Sequence, residues 1–216
     1  MKNLLFVSIL GIIIFSLFFP MIIFNSFENS FYLFFFSVFP SLFLMLICSE
    51  IIINYELANG FLPIIEFITK PYKIKGYASL IFFLSIFTGT PGNSKLIGSA
   101  LKKQQINQDQ AEQLLCISSF FNPLFVINTI GFKLFNNQNI GIILFISMFI
   151  INLIIALFFK KTNYQYQPIK HSKITFNDII ISSLKTLSII FVIIFISSII
   201  LNLRIRYSTN LKVVKY

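Results

Sequence analysis

The stretch Phe87-Thr88-Gly89-Thr90-Pro91-Gly92-Asn93-Ser94-Lys95 is a polar, helix-breaking and cationic interruption between two apolar runs. The runs before and after it, residues 78–87 and 94–101, are each long enough for only half of a bilayer. Backbone that leaves the helix at membrane depth must have its amides and carbonyls satisfied by protein or by water in a cavity. The stretch therefore predicts two half-helices joined at a break, as in a re-entrant hairpin or a discontinuous transmembrane helix.

The composition around this break is that of an integral membrane protein. Of the 216 residues, 56% are hydrophobic and only 11% are charged, which is more apolar surface than a soluble core needs. The formal net charge is +10, but the basic residues lie between apolar runs, a pattern typical of membrane-flanking loops. We expect a multi-pass membrane protein that contacts lipids and binds no nucleic acid.

Long apolar segments predict an all-α, polytopic transmembrane fold with two broken or re-entrant helices. A spanning helix needs about 20 apolar residues, and four segments reach that length: 4–24, 31–53, 139–159 and 179–203. The first run follows Lys2 but has no small-residue cleavage site, so we predict an uncleaved helix. Residues 57–69 are amphipathic and precede a basic turn at 70–75, which predicts an interfacial helix.

The positive-inside rule orients these segments. Lys2 predicts an inside N-terminus, and residues 25–30, without Lys or Arg, predict an outside loop. Lys102 and Lys103 are expected inside, but Arg204 and the basic residues after it are then left outside. Two explanations are open: one of the elements is misassigned, or the chain ends where a longer protein would continue. The predicted organisation is a first helix with its outer loop, a membrane domain that contains the broken elements, a basic cytoplasmic loop, and a last helix with a basic tail: 1–30, 31–159, 160–176 and 177–216.

A second interruption, Ser118-Ser119-Phe120-Phe121-Asn122-Pro123, follows the first. Pro123 removes an amide donor and disfavours helical geometry at Asn122. Asn107 and Gln110 match a capping box that begins the helix before this break. Paired interruptions are the best sequence pointer to a transporter site, so the two breaks together favour a cavity.

The first break combines flexible backbone with positive charge. Its glycines allow close backbone approach, the half-helix that follows presents free amides, and Lys95 adds a full charge, which favours a small polar or anionic solute. A packing kink with Lys95 reaching the interface is the alternative. Glu50 is a candidate for coupling a proton or cation, or faces interfacial water near the end of its helix. The candidate substrate-binding residues are Thr88, Gly89, Gly92, Asn93, Lys95, Ser119 and Asn122.

Neither catalysis nor a bound cofactor is predicted. The break is not a phosphate-binding P-loop, because Ser94 precedes Lys95 and Leu96 follows it. The two cysteines lie in different apolar segments without ligand spacing, and His171 lies in a basic loop without a ligand-spaced partner. With no carboxylate pair, catalytic triad or metal cluster in the sequence, we expect no enzyme and no metal site.

Four stretches together resemble the sporulation integral membrane protein YlbJ family in order and spacing. They are Phe39-Pro40-Ser41-Leu42, Ser49-Glu50, Thr88 to Leu96, and Asn122-Pro123-Leu124-Phe125-Val126 with Gly131. The family carries the Gate, or nucleoside-recognition, domain that also occurs in concentrative nucleoside transporters and in the ferrous-iron transporter FeoB. The resemblance covers about 31–159. It departs from the family pattern S-G-x-P-x-G-A-K-L where Thr88, Asn93 and Ser94 replace Ser, Gly and Ala.

The resemblance implies a multi-pass protein of the cell (inner) membrane of an endospore-forming bacterium that acts in building the spore envelope, with transport of nucleosides or other small solutes as the accompanying expectation. Family members are longer and have a second transmembrane half. A transport path would therefore need a second copy of this chain, as in a homodimer, or a second membrane subunit. Two alternatives remain open: a non-transporting structural or assembly protein, and a truncated, inactive remnant of a longer gene.

Overall fold

The computed structural model describes residues 2–159 and 175–213, which are mostly helical and contain no strand. The predicted all-α class is confirmed. The predicted basic loop, including His171, lies outside the described residues except at its end. The α-helices are α1 (Lys2–Phe18), α2 (Pro20–Leu33), α3 (Phe39–Asn54), α4 (Leu62–Thr69), α5 (Tyr77–Thr88), α6 (Gly92–Lys102), α7 (Gln108–Ile117), α8 (Gln138–Leu157) and α9 (Phe176–Val213). Two π-helices, Phe34–Val38 and Phe125–Leu134, and two 3₁₀ turns, Asn59–Phe61 and Lys70–Tyr72, complete the described elements.

Within the described residues, three helical stretches are long and apolar enough to cross a membrane. They are Pro20–Asn54, Gln138–Leu157 and Phe176–Arg204. The last two confirm the predicted spans at 139–159 and 179–203. These spans make the chain a multi-pass membrane protein.

The first predicted span, residues 4–24, is wrong as a continuous helix. α1 ends at Phe18 and α2 begins at Pro20, with Phe19 between them at φ −127° and ψ 52°. The proline ring clashes with helical geometry at the residue before it and supplies no amide donor, so the helix breaks here.

The predicted outer loop at 25–30 is also wrong, because these residues lie within α2. Ser26 and Ser30 are fully buried. The Ser30 hydroxyl donates to the Ser26 carbonyl at 2.6 Å, and the Asn202 side-chain amide donates to the Ser26 hydroxyl at 2.7 Å. Their polar groups are thus satisfied inside helix packing rather than by water. α2, the first π-helix and α3 form one helical stretch of 35 residues, and the orientation argument loses the loop on which it depended.

The chain divides into two compact units, and the first comprises Met1–Phe36 with Ser188–Tyr216. Aromatic rings of α2 pack on α9 within this unit. The Phe27 ring meets the rings of Phe191 and Phe195 edge to face, with centroids 5.9 and 5.7 Å apart. Such geometry is favoured by the charge distribution of aromatic rings.

The second unit, Ser37–Leu187, holds both breaks and a hydrophobic core built around α5. Ala78, Ile81 and Phe82 are buried, and the Phe82 ring contacts the rings of Tyr72 and Phe120 at centroid distances of 4.4 and 5.6 Å. A helix covered by protein on most sides has no need of a polar face. This burial explains why residues 78–87 are so uniformly apolar.

The two remaining local predictions have different outcomes. The capping box that begins α7 is confirmed, because the Asn107 side chain accepts from the Gln110 amide at 2.8 Å and the Gln110 side chain accepts from the Asn107 amide at 3.1 Å. The amphipathic helix expected over 57–69 is shorter, since only α4 is α-helical and a 3₁₀ turn precedes it.

The second π-helix and α8 pack with their backbones in contact at two glycines. A Cβ atom on Gly141 would lie 2.7 Å from the Ile127 Cα and 2.9 Å from the Val126 carbonyl oxygen. A Cβ atom on Gly131 would lie 2.9 Å from the Gly141 Cα. Small residues allow this close approach of helices in membranes, and the obstructing atoms are backbone atoms that cannot rotate away.

We expect Gly141→Ala to lower the apparent melting temperature of the detergent-solubilised protein by about 5 °C, because overpacking costs about 2 kcal/mol. The measurement is the surviving monodisperse fraction after heating, by size-exclusion chromatography. The matched control is Gly98→Ala in α6, where an added Cβ meets no atom within 4 Å. Equal melting temperatures for the two variants would contradict the close packing at Gly141.

Candidate functional site

Both sequence-predicted breaks are present and lie against each other. α5 ends at Thr88 and α6 begins at Gly92, while residues 118–122 are non-helical between α7 and the second π-helix. The two breaks are separated by about 30 residues in sequence but exchange hydrogen bonds directly.

Polar groups of each break satisfy backbone groups of the other. The backbone amide and hydroxyl of Thr90 both donate to the Phe120 carbonyl, at 2.7 and 3.0 Å. The Asn93 side-chain amide donates to the carbonyl of Ser118 at 2.6 Å and to its hydroxyl at 3.2 Å. The Asn93 side-chain oxygen accepts from the Ser94 amide at 2.7 Å at the start of α6. Backbone groups freed from helical pairing are thus paired within the protein, as a membrane requires.

Asn122 joins three segments of the chain. Its side-chain amide donates to the Phe87 carbonyl at 2.7 Å and to the Ser41 carbonyl at 3.3 Å, and its side-chain oxygen accepts from the Phe125 amide at 3.2 Å. The residue is 2% exposed. Asn122 therefore ties the end of α5, the start of α3 and the helix after the second break to one point.

Glycine is required where the breaks touch. Gly89 has φ +65°, and a Cβ atom there would lie 2.4 Å from the Asn122 amide nitrogen. A Cβ atom on Gly92 would lie 2.7 Å from the Leu46 Cδ2 and 3.1 Å from the Thr88 Cβ. The backbone at these two glycines closely approaches other parts of the same chain, as glycine permits.

Lys95 forms an ion pair with Glu50. The Lys95 ammonium also donates to the Ser182 hydroxyl at 3.0 Å, and that hydroxyl donates to the second Glu50 carboxylate oxygen at 2.9 Å. The Lys95 and Glu50 side chains are 23% and 10% exposed. α3, α6 and α9 each contribute one member to this cluster, so opposite charges meet where desolvation would make either alone costly.

A second lysine, Lys103, is linked to Glu50 through the side chain of Asn54. The Lys103 ammonium donates to the Asn54 side-chain oxygen at 2.7 Å, and the Asn54 amide donates to the Glu50 carbonyl at 2.8 Å. Burial lowers the pKa of Lys103, and the negative charge of Glu50 opposes that shift. Glu50 is thus the only carboxylate that the described ion pairs and hydrogen bonds place in this lysine-rich cluster.

The sequence-predicted residues separate into four sets. Asn93 and Asn122 join the breaks, Glu50 and Lys95 form the ion pair, and the Ser119 side chain is exposed and takes part in neither arrangement. The remaining three, Thr88, Gly89 and Gly92, are buried packing positions in the first break, where the Thr88 hydroxyl donates to the Leu84 carbonyl at 3.2 Å. Their role in binding a solute stays a prediction.

The sequence prediction missed Ser182. The available signal was the polar pair Ser182-Ser183 in the first part of a predicted spanning helix. Among the described residues, no group of three or more His, Cys, Asp or Glu side chains is arranged to hold a metal ion. The chemistry that the cluster offers is therefore charge pairing and hydrogen bonding.

We expect Asn122→Ala to reduce the free energy of unfolding by about 3 kcal/mol, because it removes a buried amide and leaves the Phe87 carbonyl and the Phe125 amide without this partner. Ser119→Ala, in the same break but at an exposed position, should change it by less than about 0.5 kcal/mol. Urea unfolding in detergent micelles, followed by circular dichroism, measures both. Similar losses in the two variants would show that Asn122 does not hold the breaks together.

Comparisons with known proteins give a limited likeness. No protein-family model matches the chain, and no solved structure matches it significantly. The chain is similar to the sporulation integral membrane protein YlbJ of Bacillus subtilis (strain 168), with 27% identity over 121 residues. The match covers 56% of this chain and 30% of that relative, so the chain matches less than a third of the relative's length. The likeness supports a relationship to an integral membrane protein of sporulation.

Proposed function

We propose that this chain is a YlbJ-like membrane protein of a spore-forming bacterium, that it acts in spore envelope formation, and that it carries a small polar or anionic solute. The observation that carries the transport proposal is the Glu50–Lys95 ion pair, in which Lys95 lies on the half-helix directly after the first break and Glu50 lies on α3. Ionisable residues inside membranes mark solute and ion pathways by default. The sporulation role rests on the name of the relative in Bacillus subtilis.

The ion pair would act as a charge-controlled latch. In the closed arrangement the positive charge of Lys95 is neutralised by Glu50 and is unavailable to a solute. Protonation of Glu50, or arrival of an anionic group, would separate the pair and leave Lys95 free to bind that group. Glu50 would then couple a proton or cation to solute movement, with Ser182 as the hydrogen-bonding partner of both side chains.

Recognition of a nucleoside-like solute would need the breaks to part. The side-chain amides of Asn93 and Asn122 now donate to carbonyls of Ser118 and Phe87. A polar solute placed between the breaks would replace these carbonyls as acceptor, so binding and opening would be one event. A second copy of the chain or a second membrane subunit would complete the path across the bilayer.

A structural or assembly role is the second candidate, favoured by the mutual satisfaction of the breaks. The Thr90 hydroxyl and the side-chain amides of Asn93 and Asn122 all donate to acceptors within the chain. In that case the breaks and the ion pair would serve only to hold the helices in place for a partner protein.

The double variant Glu50→Gln/Lys95→Met separates the two candidates. It removes both charges at nearly constant volume, and replacing a buried ion pair by neutral groups is often tolerated. In a sporulating strain that lacks the gene, we expect the variant protein to accumulate in the membrane but to restore fewer than about 10% of heat-resistant spores, because the latch is lost. Heat-resistant colony counts and membrane immunoblots measure this.

The control is Lys102→Gln, which removes an exposed lysine at the end of the same half-helix and should complement fully. Full complementation by the uncharged pair would instead contradict the carrier proposal and favour the assembly role. Uptake of radiolabelled uridine into proteoliposomes then tests the solute class. Uptake that the wild type supports and the double variant lacks would favour a nucleoside, and its absence from both would restrict the proposal to other solutes.

A further inference from the structure

A basic groove lies between α4 and the turn that follows it, away from the breaks. Its volume is about 430 Å³, with Pro63, Phe67 and Ile74 on its walls and Lys70 and Lys75 at its rim. Lys73 and Glu66 also line it, so three lysines face one carboxylate. The groove thus combines apolar walls with an excess of positive charge.

The outer surface of α4 is apolar rather than polar. Ile64, Phe67 and Ile68 are 58%, 77% and 54% exposed, whereas Ile65 and Thr69 are buried against the protein. A short helix that buries one side in protein and exposes large hydrophobic side chains on the other is suited to contact with acyl chains. Phe67, one of the three apolar side chains that line the groove, belongs to this exposed surface.

Hydrogen bonds fix the groove at the end of a spanning helix. The Lys73 ammonium donates to the carbonyls of Leu157 and Phe159 at 2.9 and 3.0 Å, where α8 ends. Basic side chains at this position satisfy terminal carbonyls and complement the helix dipole. Because α8 spans the bilayer, its end lies near the membrane surface. The groove is therefore at the depth of lipid headgroups.

The carboxylate of Glu66, which lines the groove, already accepts a hydrogen bond within the protein. Glu66 accepts a hydrogen bond from the Gly76 amide, which holds the turn against α4. Lys70 and Lys75 are exposed and form no ion pair within the described part of the chain. Two lysines are thus available at the rim of a groove whose shape is set by Glu66 and Lys73.

We propose that this groove binds the phosphate headgroup of an anionic phospholipid, with Lys70 and Lys75 on the phosphate and Phe67 against the upper acyl chain. A juxtamembrane lysine strengthens association with anionic lipid by about fivefold, so the two together account for about thirtyfold. The expected ligand is a phospholipid of the surrounding bilayer, because the lysines and the apolar wall of the groove meet at the depth of the headgroups. This site is independent of the proposed carrier function.

Native mass spectrometry of the delipidated full chain in detergent tests the proposal with phosphatidylglycerol and phosphatidylcholine as probes. We expect a preference for phosphatidylglycerol that Lys70→Gln/Lys75→Gln weakens by about thirtyfold. The charge-matched control, Lys102→Gln/Lys185→Gln, removes two exposed lysines elsewhere and should leave binding within about twofold. Equal losses in the two double variants would overturn the site, since general charge would then explain the binding.

A second variant and a soluble competitor separate a lipid from a free phosphate. Phe67→Ser, at a side chain that is 77% exposed, should weaken phosphatidylglycerol binding at least threefold while the protein keeps its elution volume. Inorganic phosphate in tenfold excess should not displace the lipid. Displacement by inorganic phosphate, or unchanged lipid binding by Phe67→Ser, would overturn the proposal in favour of a site for a soluble anion.

Discussion

The second unit depends on one constraint: backbone that leaves the helix inside a membrane must find partners in the protein. Two adjacent segments leave the helix here, and each supplies what the other lacks. Thr90 donates twice to the Phe120 carbonyl, and Asn122 donates back to the Phe87 carbonyl. Either break alone would leave polar groups unpaired, so neither could form without the other. The positive φ of Gly89 follows, because only glycine permits the Asn122 backbone to come so close.

The Lys95–Glu50 ion pair also follows from the position of the first break, because the break sets where α6 begins. α6 begins at Gly92, so Lys95 lies in its first turn, where helix ends favour anions rather than cations. Glu50 from α3 supplies the missing negative charge, and Ser182 from α9 bonds to both. The stretches that carry the family resemblance therefore meet in space, since Ser41 also bonds to Asn122. Residues far apart in sequence act as one polar cluster within an apolar protein.

Local rules explain what could be predicted from the sequence. Glycine and proline act on their own neighbours, which is why both breaks and the capping box at Asn107 were predictable. The same rule, applied to Pro20, would have ended the first helix at Phe18. Partner choice was not predictable: nothing near Ser26 in sequence indicates that Asn202 satisfies it inside a helix. Asn93 and Asn122 were predicted as solute ligands because their backbone acceptors lie 25 and 35 residues away in sequence, beyond the reach of local patterns.

In the proposed carrier, the hydrogen bonds between the two breaks bear on what could part them. Parting them forfeits a few hydrogen bonds at roughly 1 kcal/mol each in net terms, and more where a buried group stays unpaired. A neutral solute can at best replace each lost hydrogen bond with one of similar strength. Charge differs from shape in the proposed carrier. Neutralising Glu50 would leave Lys95 uncompensated at a position that is only 23% exposed, which would be costly while the breaks stay paired and would be relieved if they parted. A change of protonation or an incoming anion would then contribute free energy toward parting the breaks, so a charged trigger would be more effective than shape recognition in that carrier.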